Sequence, residues 1–151
     1  MAYRFDIHFQ ALPTADQVAT YKFVSFGFSP TIAVKGFQML LNQWAKCMLT
    51  PRGSDPTDLE YGTDFTKLIG SNLDLRDARD VTSISIITCN TQIYRAQAND
   101  HSLTGSERLA SAEIVKFVED PSAPGFDVYV EIKNQANERL VLNLPGTALT
   151  E

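Results

Sequence analysis

Apolar and polar residues alternate along the start of the chain. Tyr3, Phe5, Ile7 and Phe9 fall on one side of an extended backbone and Arg4, Asp6, His8 and Gln10 on the other, which predicts a half-buried strand over 3–10. After Ala11-Leu-Pro-Thr-Ala-Asp16 comes a second aromatic run, Tyr21-Lys-Phe-Val-Ser-Phe-Gly-Phe28, too apolar for a solvated tail. Residues 1–33 therefore read as an N-terminal aromatic β-arm that needs a surface to cover. Two surfaces stay open at this level: the chain's own core and a partner chain.

From Val34 the period changes. Phe37, Leu40, Leu41, Trp44 and Met48 recur at intervals of three and four, the signature of one helical stripe, and Pro51 stops the hydrogen-bond ladder, so the helix runs to about Leu49. The stretch Thr50-Pro-Arg-Gly-Ser-Asp-Pro-Thr-Asp-Leu-Glu-Tyr-Gly62 is dense in turn formers and predicts an ordered loop, after which Thr63 or Asp64 caps a short helix through Ile69. Residues 74–100 contain the β-branched run Val81-Thr-Ser-Ile-Ser-Ile-Ile-Thr-Cys89, which leans toward strand. Ile86, Cys89, Ile93 and Ala96 nevertheless recur at helical spacing with no turn residue before Asn99, so a helix is the reading taken. Three strands follow, at about 110–119, 126–134 and 138–144, with Phe126, Val128, Val130 and Ile132 on one face, Leu140, Leu142 and Leu144 on the same face of the next run, and Asn134-Gln-Ala-Asn137 as the hairpin turn. The predicted class is α+β: two main helices joined by an ordered loop, a small C-terminal antiparallel sheet and the N-terminal arm, with residues 34–151 as one compact domain.

Composition narrows the chemistry. The chain has 151 residues, 44% of them hydrophobic, enough for one buried core, and its formal net charge of -5 has the wrong sign for neutralising phosphates, so no nucleic-acid partner is expected. The alternating start lacks the continuous apolar stretch of a secretion signal or a bilayer span, which leads us to expect a soluble chain with no membrane partner. Cys47 and Cys89 lie in apolar runs and read as reduced, packed thiols in a chain that folds in the cytoplasm. With only His8, His101 and these cysteines as soft ligands, none at chelating spacing, no metal or other cofactor is expected. No Gly-x-Ser-x-Gly elbow or phosphate loop is present either. The acids between 55 and 80, among them Asp55, Asp58, Glu60 and Asp64, read first as turn formers beside proline and glycine, although a pair of carboxylates is also what glycoside hydrolysis requires.

One pattern is more specific. The amphipathic helix, then Leu49-Thr-Pro-Arg-Gly-Ser-Asp-Pro56, then Leu59-Glu-Tyr-Gly-Thr-Asp-Phe65 and a further apolar step at Leu68, resembles the baseplate wedge and sheath-initiator family of contractile-tailed bacteriophages and related injection machines. Members carry a helix, a Thr-x-Arg/Lys-Gly-Ser/Glu turn and then Pro-x-Phe/Tyr-Gly-x-x-Leu/Phe. Arg52, Gly53 and Ser54 match the first part, and Tyr61, Gly62 and Phe65 the second; residues 37–69 carry the likeness. Where members commonly show Glu-Pro-Arg after the second helix, this chain has Glu107-Arg108 without the proline and after a longer polar insert.

The resemblance implies a non-enzymatic structural component of a tail baseplate that joins the wedge around the tube and nucleates sheath polymerisation. It would be assembled in the host bacterial cytoplasm and end in the virion. Its partners would be the tail sheath protein, baseplate wedge proteins and, through the N-terminal arm, tail tube or hub proteins. Strand addition to the sheet of Phe126, Val128, Val130, Ile132, Leu140, Leu142 and Leu144 is the implied device, with main-chain hydrogen bonds giving affinity and alternate side chains giving register. Glu131, Lys133, Glu138 and Arg139 would guard that sheet before assembly or simply form its solvated face. The loop of Arg52, Gly53, Ser54, Tyr61, Gly62 and Phe65 would touch wedge or sheath chains, and Glu107 and Arg108 would make charge contacts between subunits. The device requires a rim that a partner can reach: a border capped in a reconstruction by the chain's own N-terminal segment, with no foreign backbone alongside, would remove it. The alternative is a small acidic peptidoglycan-degrading enzyme, because the family has carried a lysozyme-like label.

Overall fold

A computed structural model describes the backbone of residues 8–13, 20–27, 35–68, 71, 74–119 and 125–147, with side chains in 35–68, 71, 74–119 and 125–144. It contains strands β1 (His8–Pro13) and β2 (Thr20–Gly27), helix α1 (Phe37–Leu49), a 3-10 turn at Phe65–Leu68, helix α2 (Leu75–Ala98), a second 3-10 turn at Gly105–Glu107, and strands β3 (Leu109–Glu119), β4 (Gly125–Asn134) and β5 (Arg139–Thr147). Two helices against an antiparallel β3–β4–β5 sheet make the class α+β.

Helix α1 follows its stripe. Leu40, Leu41, Trp44, Ala45, Cys47 and Met48 are buried, and Phe37 packs half-buried at the edge of the core. Its first turn is entered through Gly36, whose φ of 65° lies in the left-handed region that a side chain disfavours. At the other end the Thr50 N–H and hydroxyl both donate to the Lys46 carbonyl before Pro51 ends the helix.

Helix α2 settles the ambiguity of the β-branched run in favour of helix. Asp74 caps it by accepting from Leu75 N at 2.7 Å. Threonines in its interior direct their hydroxyls back to the preceding turn, as in Thr82 to Ala78 and Thr88 to Ile84, so they remain satisfied without leaving the helix. Its inner face is Ala78, Thr82, Ser85, Ile86, Cys89, Ile93 and Gln97, a set of small and polar residues with few large apolar ones. Ala96, expected on this stripe, is exposed, and Gln97 takes the inner position. A helix repeats every 3.6 residues, so a stripe extended by three from Ile93 drifts off the face where a step of four holds it. The short helix expected from Thr63 or Asp64 is a single 3-10 turn, with Thr63 Oγ accepting from Phe65 N at 3.3 Å.

In the sheet, Val128 pairs with Leu144, Val130 with Leu142 and Ile132 with Leu140. All six face the helices and are buried. Strand β3 pairs with β4 through two irregularities, between Leu109 and Ser111 and between Ile114 and Lys116, where an extra residue breaks the strict alternation. The hairpin turn closes at Asn137, whose φ of 65° suits asparagine. Strands β1 and β2 pair antiparallel, and β2 runs parallel to β5 through Thr20–Val141, Tyr21–Leu142 and Lys22–Asn143, giving the order β1-β2-β5-β4-β3. The strand expected at 3–10 is described from His8 onward, and the earlier part of that run and Phe28 lie outside the described residues, as do the aromatic side chains of the arm.

Candidate functional site

The loop that carries the resemblance begins where α1 stops. A short parallel bridge fastens its two ends: Arg52 N donates to Thr63 O at 3.0 Å and Thr63 N donates to Thr50 O at 2.9 Å. Beneath the bridge Thr63 Oγ donates to Met48 O at 2.7 Å, tying the loop to the last turn of α1. Gly62 sits in the bridge with φ of 99°, and a Cβ there would stand 2.3 Å from the Thr50 carbonyl oxygen. Only glycine fits both the backbone conformation and the space.

The loop is then clasped from α2. Gln92 accepts from Gly62 N at 3.0 Å and donates through its amide nitrogen to the carbonyls of Glu60 and Gly62, while the Cys47 thiol donates to the same Gln92 oxygen at 3.2 Å. One side chain therefore joins α1, the loop and α2. Asn90, half a turn away, accepts from Trp44 Nε1 at 2.9 Å and donates to Ala112 O at 3.0 Å, which joins α1, α2 and β3.

These contacts divide the predicted loop residues into two groups. Phe65 and Gly62 are buried, and Tyr61 is half-buried against the core, so this corner is internal. Arg52, Gly53 and Ser54 are exposed at the tip. There Arg52 pairs with Glu60, which holds the guanidinium above its ordinary pKa, and Ser54 folds its hydroxyl back onto Pro51 O at 2.6 Å. The acids of the loop are turn elements: Asp55 accepts from the N–H and hydroxyl of Thr57, which lowers its pKa, Asp58 accepts from Glu60 N, and Asp64 lies 2.6 Å from Lys67.

Glu107 and Arg108 lie at a second junction, between the start of α1 and the end of α2. One Glu107 oxygen accepts from Gly36 N at 3.1 Å and the other from the N–H and hydroxyl of Thr104, so its carboxylate closes the start of α1 and its own 3-10 turn. These donors hold Glu107 below its ordinary pKa, the Thr104 amide most strongly. Arg108 donates to the carbonyls of Leu103, Gln97 and Asp100, and so closes the end of α2. Both residues expected to make contacts between subunits are thus engaged inside the chain. Gln97 accepts from Leu109 N at 2.9 Å and donates to Glu107 O, and Asn134 donates to Ser106 O and accepts from Glu138 N at 2.8 Å. Gln92, Asn90, Gln97 and Asn134 were not among the predicted site residues. A side-chain amide between helices has no periodic signature that marks it in advance.

The sheet residues named for strand addition point into the core: Val128, Val130 and Ile132 have 0% of their surface exposed, and Leu140, Leu142 and Leu144 are buried with them, while Phe126 is half-buried and stacks on Phe117 at 5.0 Å. What they leave to a partner is main chain at the rims. At β5 the rim is bordered by β2 over the three residue pairs given above, so the expectation of an open border there is corrected: the chain's own segment lies beside it. At β3 the carbonyls of Ala110 and Ala112 accept from Tyr94 and Asn90 of α2, which covers the first part of that strand. Of the four proposed guards, Arg139 lies 3.8 Å from Glu131, Lys133 is half-buried, and Glu138 accepts from Ser106 Oγ at 3.0 Å.

Cys47 and Cys89 are both free and buried on the facing sides of α1 and α2, and burial pushes the Cys89 thiol up. No group of three His, Cys, Asp or Glu side chains among the described residues converges as a metal site would require. No described helix is long and apolar enough to cross a membrane. No family model, curated protein or solved structure matches this chain.

Proposed function

We propose that this chain is a structural, non-enzymatic component of a contractile-tail baseplate that joins wedge proteins and starts the sheath. The sequence resemblance over residues 37–69 motivates the reading. The observation that carries it is the asymmetry of the sheet: β4 meets β5 along nine residue pairs, whereas β2 meets β5 along three and in parallel. A short parallel joint is the weakest seam in such a sheet and the natural place for a foreign strand to enter. In this form the arm is the native occupant of the β5 rim, and a sheath strand takes its place during assembly. This replaces the permanently open border that the resemblance alone implied. The exposed Arg52–Glu60 tip of the clasped loop is held at fixed geometry, as a register-setting contact with wedge chains requires.

The test is to staple the seam. Thr20→Cys with Val141→Cys places two thiols at directly opposed positions of β2 and β5, a spacing suited to a disulfide. Cells producing the particle with this double variant should yield baseplates lacking extended sheaths when the staple is oxidised and full-length sheaths after reduction. Full-length sheaths in both states, or purified particles without this chain, would overturn the proposal.

A further inference from the structure

Helix α2 has a second, outward face that is exposed among the described residues. Ile84 and Ile87 are 63% and 65% exposed and Thr91 is exposed after them, while Tyr94, 43% exposed, ends the face with its hydroxyl bonded to Ala110 O of β3. Spacings of three and four place these residues on one stripe of the helix. The threonines of the stripe add to its apolar character. Thr88 and Thr91 donate their hydroxyls to the carbonyls of Ile84 and Ile87, each at 2.9 Å, so neither hydroxyl needs an acceptor outside the helix. The exposed β-branched residues Ile84, Ile87 and Thr91, with Thr88 half-buried among them, lower helix propensity on this face, a cost that a packing partner would offset.

The charges bordering the stripe indicate the partner. Asp80 lies on its N-terminal side and Arg95 on its C-terminal side; both are exposed, and neither has an ion-pair partner among the described residues. A stripe with an acid at one end and a base at the other is complementary to itself when reversed. We propose that this face docks a second copy of the same chain, α2 against α2, antiparallel about a two-fold axis beside Ile87 and Thr88. In that register Asp80 meets Arg95 of the second copy at both ends, and Ile84 meets its Thr91. Arg76 falls opposite Asn99 and Asp77 opposite Ala98, so no like charges meet. The contact runs from Asp77 to Ala98, about 32 Å at the rise of an α-helix. The proposal does not depend on the baseplate reading, since it uses neither the loop nor the sheet rim.

Sedimentation velocity on the full chain across a concentration series tests it. The wild type should show a concentration-dependent dimer. Ile87→Asp should be monomeric, and Arg95→Asp should weaken the dimer about tenfold. Asp80→Arg combined with Arg95→Asp should restore it by exchanging the paired charges. All three positions are exposed, so unchanged circular dichroism of the monomeric variants will separate a lost contact from a lost fold. A wild type that stays monomeric up to about 100 µM, or a dimer indifferent to Ile87→Asp, would overturn the proposal. Failure of the charge exchange to restore pairing would overturn the antiparallel register.

Discussion

Two of the polar junctions that fasten the helix pair are built on different plans. At the first, the loop of residues 50–65 hangs on one glycine and one amide: Gly62 allows the chain to pass under Thr50, and Gln92 takes up the donors and acceptors left over. At the second, around residues 97–109, the same kind of work is divided among Gln97, Glu107, Arg108 and Asn134, each bonded to main chain from a different element. The first is compact, uncharged at its centre and intolerant of substitution. The second is distributed and contains a carboxylate, so it should fail in part and in response to pH. The difference teaches that the exposed Arg52 tip inherits its rigidity from buried groups some residues away, whereas Glu107 and Arg108 are themselves the fastening.

The largest effect is expected at Gly62. In Gly62→Val the new Cβ would meet the Thr50 carbonyl at 2.3 Å and the Arg52 nitrogen at 3.2 Å, both main-chain atoms that cannot swing aside, at a φ that valine does not tolerate. Urea unfolding should show a loss of more than about 4 kcal/mol, a large part of the stability of a domain this size. Gly53→Ala is the control that isolates backbone strain. Gly53 also has a positive φ, but its Cβ would meet only Leu59 O at 4.0 Å, so the loss should be near 1 kcal/mol. Equal losses at the two glycines would show that close packing under Thr50 is not what makes the first junction intolerant.

The intermediate effect belongs to Gln92→Leu, which keeps the side-chain volume and removes every polar contact. The Gly62 amide then loses its acceptor and the carbonyls of Glu60 and Gly62 lose a donor in a half-buried setting, for a loss of about 1–3 kcal/mol. Amide hydrogen exchange locates the damage. The Gly62 amide should exchange faster, while the Leu109 amide, held by Gln97 at the other junction, should keep its protection. Acceleration at both sites would merge the two junctions into one cooperative unit.

The elements were legible where periodicity is strong. The stripe of Phe37 to Met48 marked α1, and the alternation of Val128, Val130 and Ile132 against Leu140, Leu142 and Leu144 marked the terminal strands with their shared face. Helix α2 was legible despite its β-branched residues, because Ile86, Cys89 and Ile93 keep helical spacing. The clasps were not legible. Gln92 and Gln97 look like surface residues until the fold sets them opposite main-chain groups far away in sequence. The parallel seam between β2 and β5 was equally hidden, since pairing between distant strands leaves no local trace. Glu107 and Arg108 were singled out by resemblance to a motif, and what the structure adds is that both close helix ends.

The smallest effect, and the one that most sharpens the contrast, is at Glu107. Its folded pKa lies below the ordinary glutamate value of 4.5 because donors from Thr104 and Gly36 favour the carboxylate. For an acid whose pKa is lowered on folding, the stabilisation is complete above the unfolded value and disappears as the pH falls through the folded one. Glu107→Gln should therefore cost less than Gln92→Leu at neutral pH, because the amide oxygen can still accept from one of the Gly36 and Thr104 donors and the other members of its junction remain. The difference in melting temperature between wild type and variant should shrink steadily as the pH is lowered below about 4.5. The corresponding difference for Gln92→Leu should stay level, since no carboxylate takes part in the Gln92 contacts. A Glu107→Gln difference that is also level with pH would mean that the charge has no part in closing α1, and that the second junction is as indifferent to acid as the first.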